Sequence, residues 1–83
     1  MKLTLKLYAG LSQFLPDHAE NNVAVIEITD NSTANHIIDM LKVPRERASL
    51  VLLNGIYINP EERDTPNIAD GDTLAIWPPV SGG

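Results

Sequence analysis

The chain has 83 residues, with six Lys or Arg against eleven Asp or Glu, and no cysteine. This length fits one small domain, which buries only about 60% of the surface of its unfolded chain. The lack of cysteine excludes disulfides, thiolate metal sites and an internal thiol nucleophile. The net charge of −5 disfavours a nucleic-acid partner, because phosphate binding relies on Lys and Arg. It is consistent with a basic protein surface as partner, or simply with solubility.

The N-terminal residues alternate between polar and apolar side chains. Leu3, Leu5 and Leu7 would lie on one face of a strand, and the polar residues between them on the other. This alternation differs from a secretory signal peptide, and no stretch approaches the roughly 18 apolar residues that span a bilayer. We therefore expect an N-terminal strand in a soluble cytoplasmic protein without a membrane partner.

A short helical turn and a second strand are predicted next. Leu11, Phe14 and Leu15 have the i, i+3, i+4 spacing of a helical turn and are followed by Pro16. The apolar residues at 23–28 then predict a second strand.

One amphipathic helix is predicted in the middle of the chain. Residues 30–33 supply side chains that can cap a helix start, and Ile37, Ile38 and Leu41 follow at helical spacing. Pro44 disfavours helical geometry in the residue before it. The helix should therefore end near Lys42.

Three further strands are predicted in the second half. Two apolar segments, at 50–53 and 56–58, flank Asn54-Gly55, a pair that readily takes the positive φ angles of a two-residue hairpin turn. Asp70-Gly71-Asp72 predicts a turn into a last strand at 73–77. The resulting order is strand, strand, helix, strand, strand, strand, which predicts an α+β roll with a mixed sheet and one main helix packed on a single face. The ubiquitin-like β-grasp is one such roll, although the order alone does not force that topology.

No self-sufficient catalytic site is evident. His18 and His36 have no nucleophile at a recognisable spacing, and both are expected to be exposed. Residues 70–72 lack the further ligands of a calcium loop, and residues 61–64 are expected to form a solvated loop. No glycine-rich phosphate loop follows a strand, so the chain should bind neither metal nor ATP by itself.

The unusual feature is the ending of the chain. It reads Trp77-Pro78-Pro79-Val80-Ser81-Gly82-Gly83. The two prolines favour an extended path, and six residues reach about 20 Å when extended. The final glycines lack Cβ atoms, so the terminal carboxylate could pass through a narrow channel of a partner. We therefore divide the chain into a domain at 1–77 and a flexible tail at 78–83; a functionless, frayed terminus is the alternative.

The ending also resembles a known family. The segment from Asp70-Gly71-Asp72 through Pro78-Pro79 to Gly82-Gly83 resembles the end of molybdopterin synthase small subunits in the MoaD/ThiS sulfur-carrier family. A Leu-Tyr-Ala ending to the first strand and the Leu53-Asn54-Gly55 hairpin extend the similarity more weakly. The resemblance implies a ubiquitin-like β-grasp fold.

The resemblance also implies a cycle run by partners. A MoeB/ThiF-like adenylyltransferase would use ATP and Mg²⁺ to adenylate the Gly83 carboxylate, and a sulfur donor would convert it to a thiocarboxylate. That group would donate sulfur in molybdopterin biosynthesis, for the molybdenum cofactor. The synthase's large subunit would hold the tail, from Pro78 through Pro79, Val80, Ser81 and Gly82, while Trp77 and Tyr8 would dock the partner. The chain itself would hold no cofactor and would not be a catalyst alone.

Several alternatives remain open from the sequence. The sulfur could go to thiamin thiazole or another biosynthetic acceptor, or activated Gly83 could form amides with lysines as a protein modifier. An interaction module with an inert tail is a third possibility. Trp77 and Tyr8 could also simply cover the core.

Overall fold

The computed structural model describes residues 1–65 and 68–79. This part of the chain contains five strands, one α-helix and three short 3₁₀ helices. The strands are β1 (Lys2–Leu7), β2 (Val23–Glu27), β3 (Leu50–Leu53), β4 (Ile56–Tyr57) and β5 (Thr73–Trp77), the α-helix is α1 (Ala34–Met40), and the 3₁₀ helices are Ala9–Phe14, Arg45–Arg47 and Pro60–Glu62. None of the helices within these described ranges is long and apolar enough to cross a membrane.

The five strands form one mixed sheet in the order β2-β1-β5-β3-β4. β1 and β5 are parallel at the centre, and the other neighbouring pairs are antiparallel. The mixed sheet with one main helix confirms the predicted α+β architecture. Because β5 is a central strand, its carboxyl end has a hydrogen-bonded neighbour on each side.

The core lies between α1 and one face of the sheet. The alternation in β1 buries Leu3, Leu5 and Leu7 completely, as the sequence pattern predicts. Ile37 and Ile38 of α1 are fully buried in the same cluster. The remaining fully buried aliphatic side chains of the cluster are Leu11, Ala34, Val51, Leu74 and Ile76. Leu11 belongs to the first 3₁₀ helix, so the predicted helical turn does close one side of the core.

Helix α1 is bounded by local signals. The Thr33 hydroxyl accepts a hydrogen bond from the His36 backbone N–H at 3.0 Å and so caps the first turn. At the other end Lys42 takes a left-handed φ of 65°, which stops the helix after Met40. The helix thus ends two residues before the predicted end near Lys42.

The predicted hairpin forms around Asn54-Gly55. Their φ angles of 53° and 83° are those of a type I′ turn, which matches the twist of the flanking strands. The Asn54 side chain donates to Asp72 at 3.0 Å and accepts from the Thr73 N–H at 2.9 Å. The hairpin is therefore tied to the turn that starts β5.

Candidate functional site at the root of the tail

Three chain segments meet at the carboxyl end of β5. β1 runs parallel to β5 and β3 runs antiparallel to it. The end of β1 and the start of β3 therefore lie at the same end of the sheet as the carboxyl end of β5. The Tyr8 N–H donates to the Ile76 carbonyl at 3.2 Å, and the Ser49 N–H donates to the Trp77 carbonyl at 3.0 Å. The chain is thus held from both sides until Pro78, where the tail begins.

Tyr8 and Trp77 stack on each other at this end of the sheet. Their ring centroids are 4.5 Å apart and the ring planes differ by 11°. The preceding residues, Leu7 and Ile76, are paired in the register and fully buried in the core. Alternation along the strands therefore places both aromatic rings on the opposite, open face of the sheet, where each is half-buried. The two predicted docking residues are brought into direct contact, and their docking role stays a prediction.

The stack continues into further apolar side chains on the open face. Trp77 pairs with Leu50 in the register, and Leu52 pairs with Tyr57. Leu50 is 40% exposed and Tyr57 is 46% exposed. We call the five side chains on this surface the docking face: Tyr8, Leu50, Leu52, Tyr57 and Trp77.

Leu50, Leu52 and Tyr57 were not singled out as functional from the sequence. The available signal was the unbroken apolar run at 50–53, which differs from the alternation expected of a strand with one solvated face. An unbroken apolar run is typical of a strand that is covered on both faces.

The tail is described only as far as Pro79. Pro78 is half-buried and Pro79 is exposed, and neither belongs to a strand or helix, so the chain leaves the sheet directly after Trp77. The predicted site residues Val80, Ser81, Gly82 and Gly83 lie outside the described residues. The insertion of the tail into a partner therefore remains a prediction.

A buried arginine supports the start of β3. Arg63 is only 6% exposed, and its guanidinium donates to the carbonyls of Ala48 at 2.7 Å, Ser49 at 3.2 Å and Ile58 at 3.4 Å. The prediction that residues 61–64 form a solvated loop is therefore wrong at Arg63, although its three neighbours are exposed. Main-chain carbonyls replace the water that a buried guanidinium loses. The Ser49 N–H in turn donates to the Trp77 carbonyl. Arg63 therefore stabilises the segment that is hydrogen-bonded to the last residue before the tail.

The Asp70-Gly71-Asp72 segment forms a turn. Asp70 accepts from the Lys2 N–H at 2.6 Å, and Asp72 accepts from the Ala69 N–H at 2.8 Å. Gly71 has a φ of 88°, which favours glycine. The carboxylates thus bind main-chain N–H groups, as the turn prediction expects.

The two histidines lie outside the docking face. Both are exposed, as predicted; the His18 ring lies 3.0 Å from the Val25 carbonyl at the sheet edge, and His36 is on α1. Within residues 1–65 and 68–79, no group of three or more His, Asp or Glu side chains could hold a metal ion. Among the acidic side chains of the described residues, Asp39 has a clear pKa shift: its pKa is lowered by its hydrogen bonds to Arg45.

The architecture has several known counterparts among solved structures. SAMP1 from Haloferax volcanii is 24% identical over the whole of both chains, with a TM-score of 0.66. A second Haloferax volcanii protein, HVO 2177, is 21% identical, with a TM-score of 0.72 over all of this chain and 87% of that one. The complex of subunits 1 and 2 of molybdopterin-converting factor from Helicobacter pylori contains a chain 18% identical over both full lengths, with a TM-score of 0.58. At these identities the likeness shows the fold, a ubiquitin-like β-grasp.

The family assignment comes from the sequence match. No curated protein matches the chain. The model of the ThiS family matches residues 13–83, which include Trp77 and the whole Gly-Gly tail. Together with the β-grasp fold, this match agrees with the resemblance in the C-terminal residues. The chain belongs to the ThiS family of small, ubiquitin-like sulfur carriers.

Proposed function

We propose that this chain carries sulfur as a thiocarboxylate on Gly83 and serves as the small subunit of molybdopterin synthase. The observation that carries this proposal is the Pro-Pro to Gly-Gly tail, which starts at the end of a central strand beside an exposed apolar surface. The likeness to a chain in a complex of molybdopterin-converting factor subunits 1 and 2 supports this choice of acceptor.

Activation has to come from a partner. A carboxylate is a poor electrophile, so one of its oxygens would attack the α-phosphorus of ATP on an adenylyltransferase that also binds Mg²⁺, with release of pyrophosphate. A sulfur donor would then displace AMP from the acyl-adenylate and leave a thiocarboxylate. The described part of this chain has no metal cluster, and its two histidines lie outside the docking face. Its own contribution is to present the carboxylate.

The fold suits this presentation. Hydrogen bonds on both sides of β5 hold Trp77 and so define the starting point of the tail. Pro78 and Pro79 restrict φ in the first two tail residues and direct the chain outward. The docking face offers apolar contact area next to that point, and large aromatic side chains are typical anchors of protein interfaces. The activating enzyme and the large subunit would use the same face and tail, so the two partners would bind in turn.

Intact mass spectrometry tests the carrier role. The untagged chain is incubated with a MoeB/ThiF-like adenylyltransferase, MgATP and a sulfur source. We expect a mass gain equal to the exchange of one oxygen for one sulfur, located on the C-terminal peptide and absent from a variant that lacks Gly83. An unchanged mass, with an enzyme that activates its own known carrier, would contradict the proposal.

The acceptor is tested with the thiocarboxylated protein. Addition of the synthase large subunit and a pterin precursor should return the carrier to its original mass with formation of molybdopterin. Sulfur transfer to a thiazole precursor instead would reassign the acceptor. Conjugates in which Gly83 is linked to lysines of other proteins would show a protein modifier.

A further inference from the structure

One cationic side chain lies at the root of the tail. Arg47 ends the second 3₁₀ helix, two residues before Ser49. Its Nη2 atom is 2.9 Å from the position that a Cβ atom would occupy on Gly10. Gly10 follows β1 and Arg47 precedes β3, while β5 lies between these two strands in the sheet. The guanidinium therefore reaches across the carboxyl end of β5, close to the point where the tail leaves.

The charge of Arg47 is not neutralised by the described residues. Within residues 1–65 and 68–79, the ion pairs join the N-terminus to Glu27 and Arg45 to Asp39. Arg47 takes part in neither pair, and its guanidinium donates no hydrogen bond to a described residue, although the side chain is half-buried. A guanidinium has five N–H donors in a planar fork that matches a carboxylate. Arg47 thus has guanidinium donors without a hydrogen-bond partner among the described residues, in a half-buried position near the carboxyl end of β5.

The positive charge of Arg47 is opposite in sign to the net charge of the molecule. The net charge of −5 would draw the chain toward a partner surface that is basic overall. A cation within that contact would repel such a surface unless one acidic group of the partner faces it. Local charge inversions of this kind discriminate between partners and fix their relative orientation.

We propose that Arg47 is a specificity contact of the docking face and pairs with a carboxylate beside the tail channel of the activating adenylyltransferase. The inference rests on the proposed function, since it requires an enzyme that receives the tail. A bidentate pair between a guanidinium and a carboxylate has a defined geometry. This pair would orient the domain so that the tail points into the channel.

Binding measurements on the full untagged chain test this contact. Arg47→Gln should raise the dissociation constant for the adenylyltransferase about tenfold, whereas the matched control Lys42→Gln should change it less than about twofold. Arg47→Lys should give an intermediate loss, because the ammonium group keeps the charge but lacks the planar fork. Reversal of the charge in Arg47→Glu should be the most severe change, and a partner variant with one Asp or Glu at the channel changed to Lys should restore its binding.

A second variant moves the guanidinium without removing it. In Gly10→Ala the new methyl group would occupy the space next to Nη2, and the flexible end of Arg47 would have to shift. The fold should be kept, because the obstructing atom is the far end of a long side chain and the φ of Gly10 is not in the left-handed region. We expect Gly10→Ala to weaken binding with an unchanged melting temperature.

The outcomes separate this inference from the function on which it rests. If wild type and Arg47→Gln bind equally well and both acquire sulfur on Gly83, the Arg47 contact is overturned and the carrier function stands. If the wild type neither binds the enzyme nor acquires sulfur, both are overturned. Rescue of Arg47→Glu by the charge-reversed partner would establish the pair.

Discussion

The indole ring of Trp77 lies on the phenol ring of Tyr8, with their centroids 4.5 Å apart. The two residues are far apart in sequence and meet because β1 and β5 are parallel neighbours in register. Each ring restricts the other, so the aromatic surface at the root of the tail is ordered before any partner arrives. Preorganised anchors of this kind lower the entropy that a complex loses on forming.

Replacement of the Trp77 side chain should weaken docking. We expect Trp77→Ala to reduce the affinity for the adenylyltransferase by about 1–3 kcal/mol, because a large half-buried anchor is lost. Val25→Ala is the matched control, since Val25 is 52% exposed on β2, which β1 separates from β5. Isothermal titration calorimetry of both variants measures the difference. Equal affinities in two well-folded proteins would count against docking by Trp77.

Removal of Tyr8 should change the environment of Trp77. The chain has a single tryptophan, so its fluorescence reports directly on the stack. We expect Tyr8→Ala to shift the emission of Trp77 toward longer wavelengths, because the indole gains contact with water. The control is Tyr57→Ala, which removes a tyrosine of the docking face outside the stack. The same shift in both variants would mean that the stack does not control the exposure of Trp77.

Loss of the Arg63 guanidinium should destabilise the domain. Arg63→Met leaves the carbonyls that it binds without these donors, and a buried polar group without its partner costs about 1–3 kcal/mol. Urea unfolding should show this loss, and hydrogen exchange of the Ser49 amide should accelerate because that N–H binds Trp77. A variant at the exposed neighbour, Glu61→Gln, should leave both measurements unchanged. Unaltered stability in Arg63→Met would show that water can replace the guanidinium.

The Arg45–Asp39 pair should make a small, pH-dependent contribution to stability. Arg45 donates to both carboxylate oxygens at 3.0 and 2.6 Å, and this hydrogen bonding holds the pKa of Asp39 below its ordinary value. A lowered folded-state pKa stabilises the fold above the unfolded pKa, and the effect is lost as pH falls through the folded pKa. Asp39→Asn should therefore lower the melting temperature slightly at neutral pH, and this difference should shrink as the pH falls below the ordinary pKa of an aspartate. A loss that persists in acid would have to come from another cause.

Local sequence signals predicted most of the fold. The alternation around Leu5 identified β1, the Asn54-Gly55 pair identified the hairpin, and the turn before Thr73 placed β5 at its observed bounds. These features depend on neighbouring residues, so they are readable from a short window of sequence. The helix ends two residues before its predicted end. The left-handed φ of Lys42 could not be predicted, because this conformation is typical of glycine and not of lysine.

Long-range contacts could not be predicted in the same way. The burial of Arg63 depends on carbonyls up to 15 residues earlier in the chain, and nothing in its own charged segment indicates them. The docking face likewise appears only when the register joins Leu50 to Trp77 and Leu52 to Tyr57. The predicted role of Gly83 rests on the Gly-Gly sequence and the family resemblance, whereas the proximity of Arg47 to Gly10 required the three-dimensional structure.

The central position of β5 has a mechanical consequence. A partner that draws in the tail pulls along the axis of a strand that is hydrogen-bonded to β1 on one side and to β3 on the other. Such a load acts in shear on the hydrogen bonds of both strand pairs. These hydrogen bonds therefore resist the load together and do not break one after another. Force applied to the terminal residues would thus be distributed over the whole sheet. An enzyme that binds the tail could therefore pull on it without unfolding the domain.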